Sequence, residues 1–318
     1  MIDLSSLAKE AGFGRCWLFQ PAPFSRYQSR QREGTLHPLG QNLNWNPKEA
    51  YPWANGLLLL LWPYKPLPRE RQISGYYMAS NAAYHGAGEL IRLLEERGIQ
   101  VQRADVPVRE LALQHGVGQM LKNGLTCWGE LGSRVAVQVL AVALPEPVTY
   151  DPDGALPRIN PLCKGCSLCR ESCPTHAIDQ ETGFCYRDYL RGRIEKEPME
   201  EEIMARLPAL FGCELCQYAC PLNGRIGEDE KAYPAFGLES LLRGETGPVL
   251  ALVGKNLNKG GRPIAHACIL AANNGRTDLL PLVTQHLADQ RPQVQQAAQW
   301  AVKRLESLEK TSEIKKDG

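Results

Sequence analysis

Four cysteines and a proline set the strongest constraint on this chain. They read Cys163-x2-Cys166-x2-Cys169-x3-Cys173-Pro174, and a second run, Cys213-x2-Cys216-x3-Cys220-Pro221, follows. Thiolates spaced by two residues wrap one cubane iron–sulfur cluster from a short loop. The cysteine set off by three residues serves the other cluster in two-cluster chains. The proline fixes the backbone where the chain leaves the metal. Cys163, Cys166, Cys169 and Cys220 are therefore expected to hold one cluster, and Cys173, Cys213 and Cys216 most of the second. Cys185, the nearest spare, completes eight ligands for two 4Fe–4S clusters.

Zinc also takes Cys-x2-Cys pairs, but it has no use for eight cysteines in this order. A disulfide framework belongs to secreted chains. No secretory leader pattern is recognisable, so a reducing, cytoplasmic setting is expected. The 318 residues predict two to three domains, and 43% hydrophobic content can fill a core. A net charge of +1 exerts no global pull toward nucleic acid or membrane. The longest apolar run, 57–62, is far too short to span a bilayer. A monomer without a membrane partner is expected. Of the eleven cysteines, Cys16, Cys127 and Cys268 are left over. Cys268, in an apolar helical pattern, and Cys16, beside Trp17, read as small core residues. Cys127 lies in a Gly-rich loop and is less easily dismissed.

The pattern predicts an α+β chain in three parts: 1–150, 151–225 and 226–318. In the first, 3–11 reads as a helix started by Asp3 or Ser5 and stopped by Gly12. Residues 56–62 read as a buried strand, 82–97 as a helix, 99–103 as a strand, 109–115 as a short helix and 135–144 as a strand. This alternation implies an α/β sheet covered by helices. A Pro/Asp/Gly linker, 146–160, leads to a ferredoxin-like double-cluster domain stabilised by metal–thiolate bonds. Segment 191–206, rich in both charge signs, reads as a solvated helical face. The third part is all-α. Small apolar residues at helical spacing (Ala265, Ala267, Leu270, Ala271, then Ala297, Ala298, Ala301) suggest a HEAT-like helix-pair repeat. With barely more than one repeat it must dock on a neighbour. Residues 311–318 read as a polar, disordered tail.

This domain order and cysteine pattern resemble the epoxyqueuosine reductases. Pro107-Val108-Arg109-Glu110 followed by Gly116-Val117-Gly118-Gln119-Met120-Leu121-Lys122-Asn123 resembles that family's cofactor segment. Tyr84-His85 resembles the end of its tyrosine–histidine segment, and the tail after Pro263 resembles its repeat. The resemblance implies a cobalamin-dependent, two-cluster reductase that completes queuosine at the tRNA wobble position. It also implies an N-terminal corrinoid-binding domain and an electron donor such as a flavodoxin or ferredoxin. The chain departs from the pattern in three places. The acidic proton donor falls on Ala104 unless a one-residue gap shifts it to Asp105. The cofactor loop reads Gly118-Gln119-Met120-Leu121. The basic stretch before the repeat is thinned over 252–259.

On these residues, Asp105 is the candidate acid. It would need burial to raise its pKa, and it also suits a plain acid ahead of a helix N-terminus. Gly116 and Gly118 would let the backbone approach a large planar cofactor, with Lys122 and Asn123 bonding its amides. An ordinary turn explains them equally. Tyr84 and His85, at a helix start, are further cofactor contacts. Tyr76, Tyr77 and Tyr84 either line a pocket or belong to the core. Arg225, Lys231, Arg243, Lys255, Lys259 and Arg262 are candidate phosphate contacts for tRNA. No dinucleotide fingerprint, P-loop or HExxH occurs. The competing reading is a two-cluster electron-transfer module whose N-terminal domain docks a partner.

Overall fold

The structure, a computed structural model, describes residues 2–36, 42–148, 157–178, 185–188 and 200–314. The chain forms two compact units, each assembled from three segments. The first comprises Met1–Tyr64, Ala79–Ser167 and Cys220–Ile226. The second comprises Lys65–Met78, Leu168–Ala219 and Gly227–Gly318. Each cysteine motif is split between the two units.

In the first unit, four strands form one sheet: β1 (Arg15–Phe19), β2 (Gly56–Pro63), β3 (Gln100–Arg103) and β6 (Val135–Ala143), in the order β1-β2-β6-β3. A separate two-strand hairpin pairs β4 (Gln119–Met120) with β5 (Thr126–Cys127). The register sets Trp17 against Leu59 and Leu59 against Val139. Every pairing in the four-stranded sheet is antiparallel. Strands and helices alternate along this part of the chain as expected, and the sheet they build is antiparallel. Leu57, Leu58, Leu59, Leu60 and Leu61 are all fully buried. Two-sided burial gives a strand the continuous apolar run that parallel strands usually show, so the run reports burial and not direction.

Asp3 caps the helix Leu4–Glu10, its carboxylate accepting the Ser6 N–H at 3.0 Å. The long helix Tyr76–Glu95 begins six residues before the expected start. Its first N–H groups are capped from far along the chain. Glu214, buried, accepts the Tyr76 N–H at 2.9 Å and the Gly75 N–H at 3.3 Å. Gly86 lets this helix pass close to Ala11 and Trp62, since a Cβ there would sit 2.6 Å from the Ala11 carbonyl oxygen.

The second unit packs helices Arg262–Asn273 and Pro292–Ile314 against each other. Cys268 and residues 262–272 around it are buried. Their core continues into Ile203, Met204, Leu207, Leu210 and Phe211, so the tail does dock on the segment ahead of the second cysteine motif. The Asn273 side-chain amide adds a bond to the Met204 carbonyl at 2.9 Å. The expected solvated face is half right: in Glu201–Ala205, Glu201 and Glu202 are exposed while Ile203 and Met204 are core. Residues 191–199 lie outside the described set. The last helix runs to Ile314, so 311–314 are helical instead of a disordered tail. Among the described residues no helix is long and apolar enough to cross a membrane.

His266, buried in the helix Arg262–Asn273, accepts the Phe211 N–H on Nδ1 at 3.3 Å. Burial, with the Arg262 charge second, pulls its pKa down to about 4. The unfolded chain titrates near 6.5, so it binds the proton first as pH falls. The stability from neutral His266 is thus complete above about pH 6.5 and lost as pH drops toward 4, by roughly 3 kcal/mol in total. Unfolding midpoints measured across that window should fall less steeply for His266→Asn than for the wild type.

Candidate cluster and cofactor site

Two groups of thiols form, one within each unit. In the first unit the hairpin β4–β5 is the organising piece. Met120 donates its N–H to the Arg158 carbonyl at 2.8 Å and accepts the Asn160 N–H at 3.1 Å. Buried Gln119 and Asn160 join through their side chains at 2.9 Å. Asn160 then caps the turn that opens the first motif. Its side chain accepts the Leu162 N–H at 3.0 Å and its carbonyl the Cys163 N–H at 3.0 Å. The Lys122 ammonium donates to the Cys166 carbonyl.

Cys220 reaches the same place from the other end of the cysteine region. It opens a turn, Pro221–Asn223, whose buried Asn223 accepts the Ser133 N–H at 2.8 Å. Gly132 makes this approach feasible. Its φ is +59° and a Cβ would fall 2.2 Å from Asn223 Oδ1. Gly132→Ala should cost about 2–5 kcal/mol, combining backbone strain with a broken buried hydrogen bond. The cost would appear as a lower denaturation midpoint, with faster iron loss if this loop steadies Cys220. Burial pushes the Cys220 thiol up, and the neighbouring Cys163 and Cys166 push it further.

In the second unit Cys213 is pushed up to about 12, by burial first, then by Cys216, Cys185 and Cys173. The approach is a left-handed turn, with Phe211 at φ +59° and Gly212 at φ +105°. Cys216 sits in the short helix Leu215–Tyr218, which contacts the helix Leu168–Glu171 carrying Cys169. By contacts, Cys169 belongs to this second unit. Among the described residues no three His, Cys, Asp or Glu side chains converge as a single metal ion requires. Thiols raised this far are protonated at neutral pH, so taking up iron as thiolate ligands would release protons.

The other site residues are distributed unevenly. Gly116 (φ +66°) ends the helix Val108–Gln114, and Gly118 packs against Thr126, where a Cβ would come within 2.8 Å. Both serve the local chain path. Lys122 is exposed and donates to the Cys166 carbonyl. Asn123 turns the hairpin by accepting the Leu125 N–H at 3.1 Å, and its buried Nδ2 has no partner among the described residues. Tyr84 and His85 lie in the middle of the helix Tyr76–Glu95, not at its start. Tyr84 is 54% exposed, with the Arg103 guanidinium 4.0 Å over its ring. Tyr76 lies under Arg187 at 3.9 Å, and Tyr77 packs on the second unit's core. Asp105 is exposed instead of buried. Its N–H bonds the Tyr51 hydroxyl at 2.8 Å and its carbonyl accepts the Asn44 N–H at 2.9 Å. Ala104, by contrast, packs against the core.

Two features escaped sequence reading. The hairpin itself had a signal, since Asn123-Gly124 between short apolar stretches is a turn pair. Exposed Ile159 (58%) and Leu162 (63%), flanking the start of the first motif, had none. Of the basic candidates, Arg262 is buried and unsuited to phosphate, and Arg243 pairs with Glu239 at 2.8 Å. Arg225, Lys231, Lys255 and Lys259 are exposed.

Comparison with known proteins places these features. Residues 162–223 match a 4Fe-4S double cluster binding domain. The epoxyqueuosine reductase of Bacillus subtilis (strain 168) is 27% identical over 242 residues, covering 68% of this chain and 59% of that protein. The chain thus spans about three fifths of that relative's length. Among solved structures, epoxyqueuosine reductase with an epoxyqueuosine-modified tRNA-Tyr stem loop superposes with a TM-score of 0.71 at 19% identity. It covers 95% of this chain and 89% of that one. A structure of the Bacillus subtilis enzyme, described with its catalytic aspartate loop swung out of the active site, has the same coverage, a TM-score of 0.69 and 20% identity. The chain thus carries a 4Fe-4S double cluster binding segment and is similar in sequence and in fold to epoxyqueuosine reductases.

Proposed function

We propose that this chain is an iron–sulfur epoxyqueuosine reductase that converts epoxyqueuosine to queuosine in tRNA. The hydrogen-bonded junction between hairpin 119–123 and the first cysteine motif carries the reading. It brings a candidate cofactor loop against a cluster site. Cys163, Cys166, Cys169 and Cys220 hold the first cluster, and Cys173, Cys185, Cys213 and Cys216 the second. Electrons from a small donor of the flavodoxin or ferredoxin kind enter at the second cluster and leave from the first, beside the hairpin. The parts follow the three-part plan, with a HEAT-like repeat after residue 225.

A corrinoid fits the residues beside the first motif. The unpartnered Asn123 amide can donate to a cofactor amide, and exposed Ile159 and Leu162 offer apolar cover for a large flat ring. When bound, cobalamin supplies a strongly nucleophilic reduced metal for opening the epoxide. Tyr84 and His85 line the approach. Asp105 delivers the proton to the epoxide oxygen. Overall, two electrons and two protons enter, one water leaves and a carbon–carbon double bond remains. The exposed setting of Asp105 agrees with a loop that closes over substrate, as the swung-out aspartate loop of the Bacillus subtilis enzyme suggests.

A second reading, reduction of a smaller corrinoid-reducible substrate, is favoured by the thinned basic set, since Arg262 is buried and Arg243 is paired. The deciding experiment reconstitutes the protein anaerobically with iron, sulfide and cobalamin and supplies a strong reductant. Queuosine formed in epoxyqueuosine-containing tRNA is the expected result. Turnover of the free nucleoside without tRNA affinity at low salt would support the second reading, because backbone contacts dominate affinity for nucleic acid.

A further inference from the structure

The backbone that leads into Cys213 could not hold its shape alone. Phe211, fully buried, has φ +59°, and Gly212 follows at φ +105°. A bulky residue in the left-handed region persists only where its surroundings over-determine it. Contacts within the second unit do so. Leu210 donates its N–H to the Gln72 carbonyl at 2.7 Å and accepts the Ser74 N–H at 3.2 Å. Just past Cys213, the buried Glu214 carboxylate accepts the Tyr76 N–H at 2.9 Å. Between these two anchors, Phe211 donates its N–H to His266 Nδ1 at 3.3 Å, and the two rings lie 6.2 Å apart. His266 comes from the helix Arg262–Asn273, 55 residues along the chain from Phe211. Imidazole is a costly group at this position. Accepting on Nδ1 puts the ring proton on Nε2, and Nε2 is buried with no partner among the described residues. An unmet buried donor works against folding. A leucine in the same core would avoid that cost, but it could not accept the Phe211 N–H.

We propose that His266 is a positioning residue for the second cluster, holding through the Phe211 N–H the left-handed turn that presents Cys213 to iron. This rests on the two-cluster reading above. Cys213 packs against the same core that His266 faces through Phe211, so the C-terminal helices take part in shaping the metal site. Without the acceptor, the Phe211 N–H is left buried and unmet, and the turn relaxes toward the backbone a phenylalanine prefers. Cys213 then leaves the place its iron requires. Groups that orient the ligands of a metal change its affinity by about 10–100-fold when removed. His266 makes no bond to iron in this role, and it transfers no proton or electron.

Iron release to a chelator, with electron paramagnetic resonance of the reduced protein, tests this in reconstituted full-length chains. The wild type should carry about eight irons; fewer in the wild type would overturn the two-cluster reading on its own. In His266→Leu about half of the iron should leave about tenfold faster than in the wild type, and the signal of one cluster should shift. His266→Asn, whose amide oxygen falls where Nδ1 stands, should keep wild-type release and spectrum. Wild-type behaviour of His266→Leu, faster loss of all the iron at a single rate, or equal changes in the leucine and asparagine variants would each overturn the proposal. Should His266→Leu not fold, His266→Gln takes its place, because its amide lies near the Nε2 position and leaves the Phe211 N–H unmet. Faster release of half the iron from His266→Gln than from His266→Asn is expected, and equal release would overturn the proposal.

Discussion

Cys216→Ala is expected to leave anaerobic reconstitution with about four irons instead of about eight and to form no detectable queuosine. The thiol it removes belongs to the group of Cys173, Cys185 and Cys213 in the second unit. A cubane left with three protein ligands exposes one iron, and the surrounding backbone loses a bond that stabilises the fold as well as the metal. The left-handed turn at Phe211 and Gly212 would lose the anchor on its downstream side. Iron and sulfide analysis, with resonance spectra before and after reduction, measures the effect directly. Cys185→Ala should behave alike, and because Cys185 lies outside both motifs its variant is the sharper test. An unchanged iron count and spectrum there would remove Cys185 from the ligand set.

Asp105→Asn should lower the rate of epoxide reduction by about 10²–10⁴, the usual loss when a general acid is removed. Iron content, cobalamin uptake and affinity for tRNA should stay at wild-type levels, because the Asp105 side chain is exposed and its backbone bonds to Tyr51 and Asn44 survive the change. Single-turnover formation of queuosine separates the chemical step from binding and product release. A wild-type rate in the variant would assign the proton to another donor. Ala104 is a poor alternative position for an acid, since it packs inward against the core.

The sequence displayed some of this architecture and concealed the rest for identifiable reasons. Cysteine spacing, the Asp3 cap and the buried leucine run are local signals, and each is matched by an element at the expected place. Strand direction is not local, because a leucine run buried on both faces looks the same in parallel and antiparallel sheets. The early start of the helix at Tyr76 depends on Glu214, 138 residues away. Arg262 looked like a surface cation because its type suggests exposure, yet it faces the helical core. Cys127 read as a loop residue, yet it is buried in β5 opposite Gln119, a pairing set only when the hairpin closes.

The interleaving of the two units has a consequence for synthesis. Cys220–Ile226 completes a unit whose other segments lie before Lys65 and between Ala79 and Ser167. While the chain emerges from the ribosome, that unit stays unfinished until its last segment follows the Leu168–Ala219 segment of the second. Contacts of such long sequence separation form late and slowly. The first cluster therefore cannot be inserted with its full ligand set into a nascent chain shorter than Cys220. Iron delivery has to wait until synthesis has passed Cys220, and a fragment cut after Ser167 should neither fold cleanly nor hold iron.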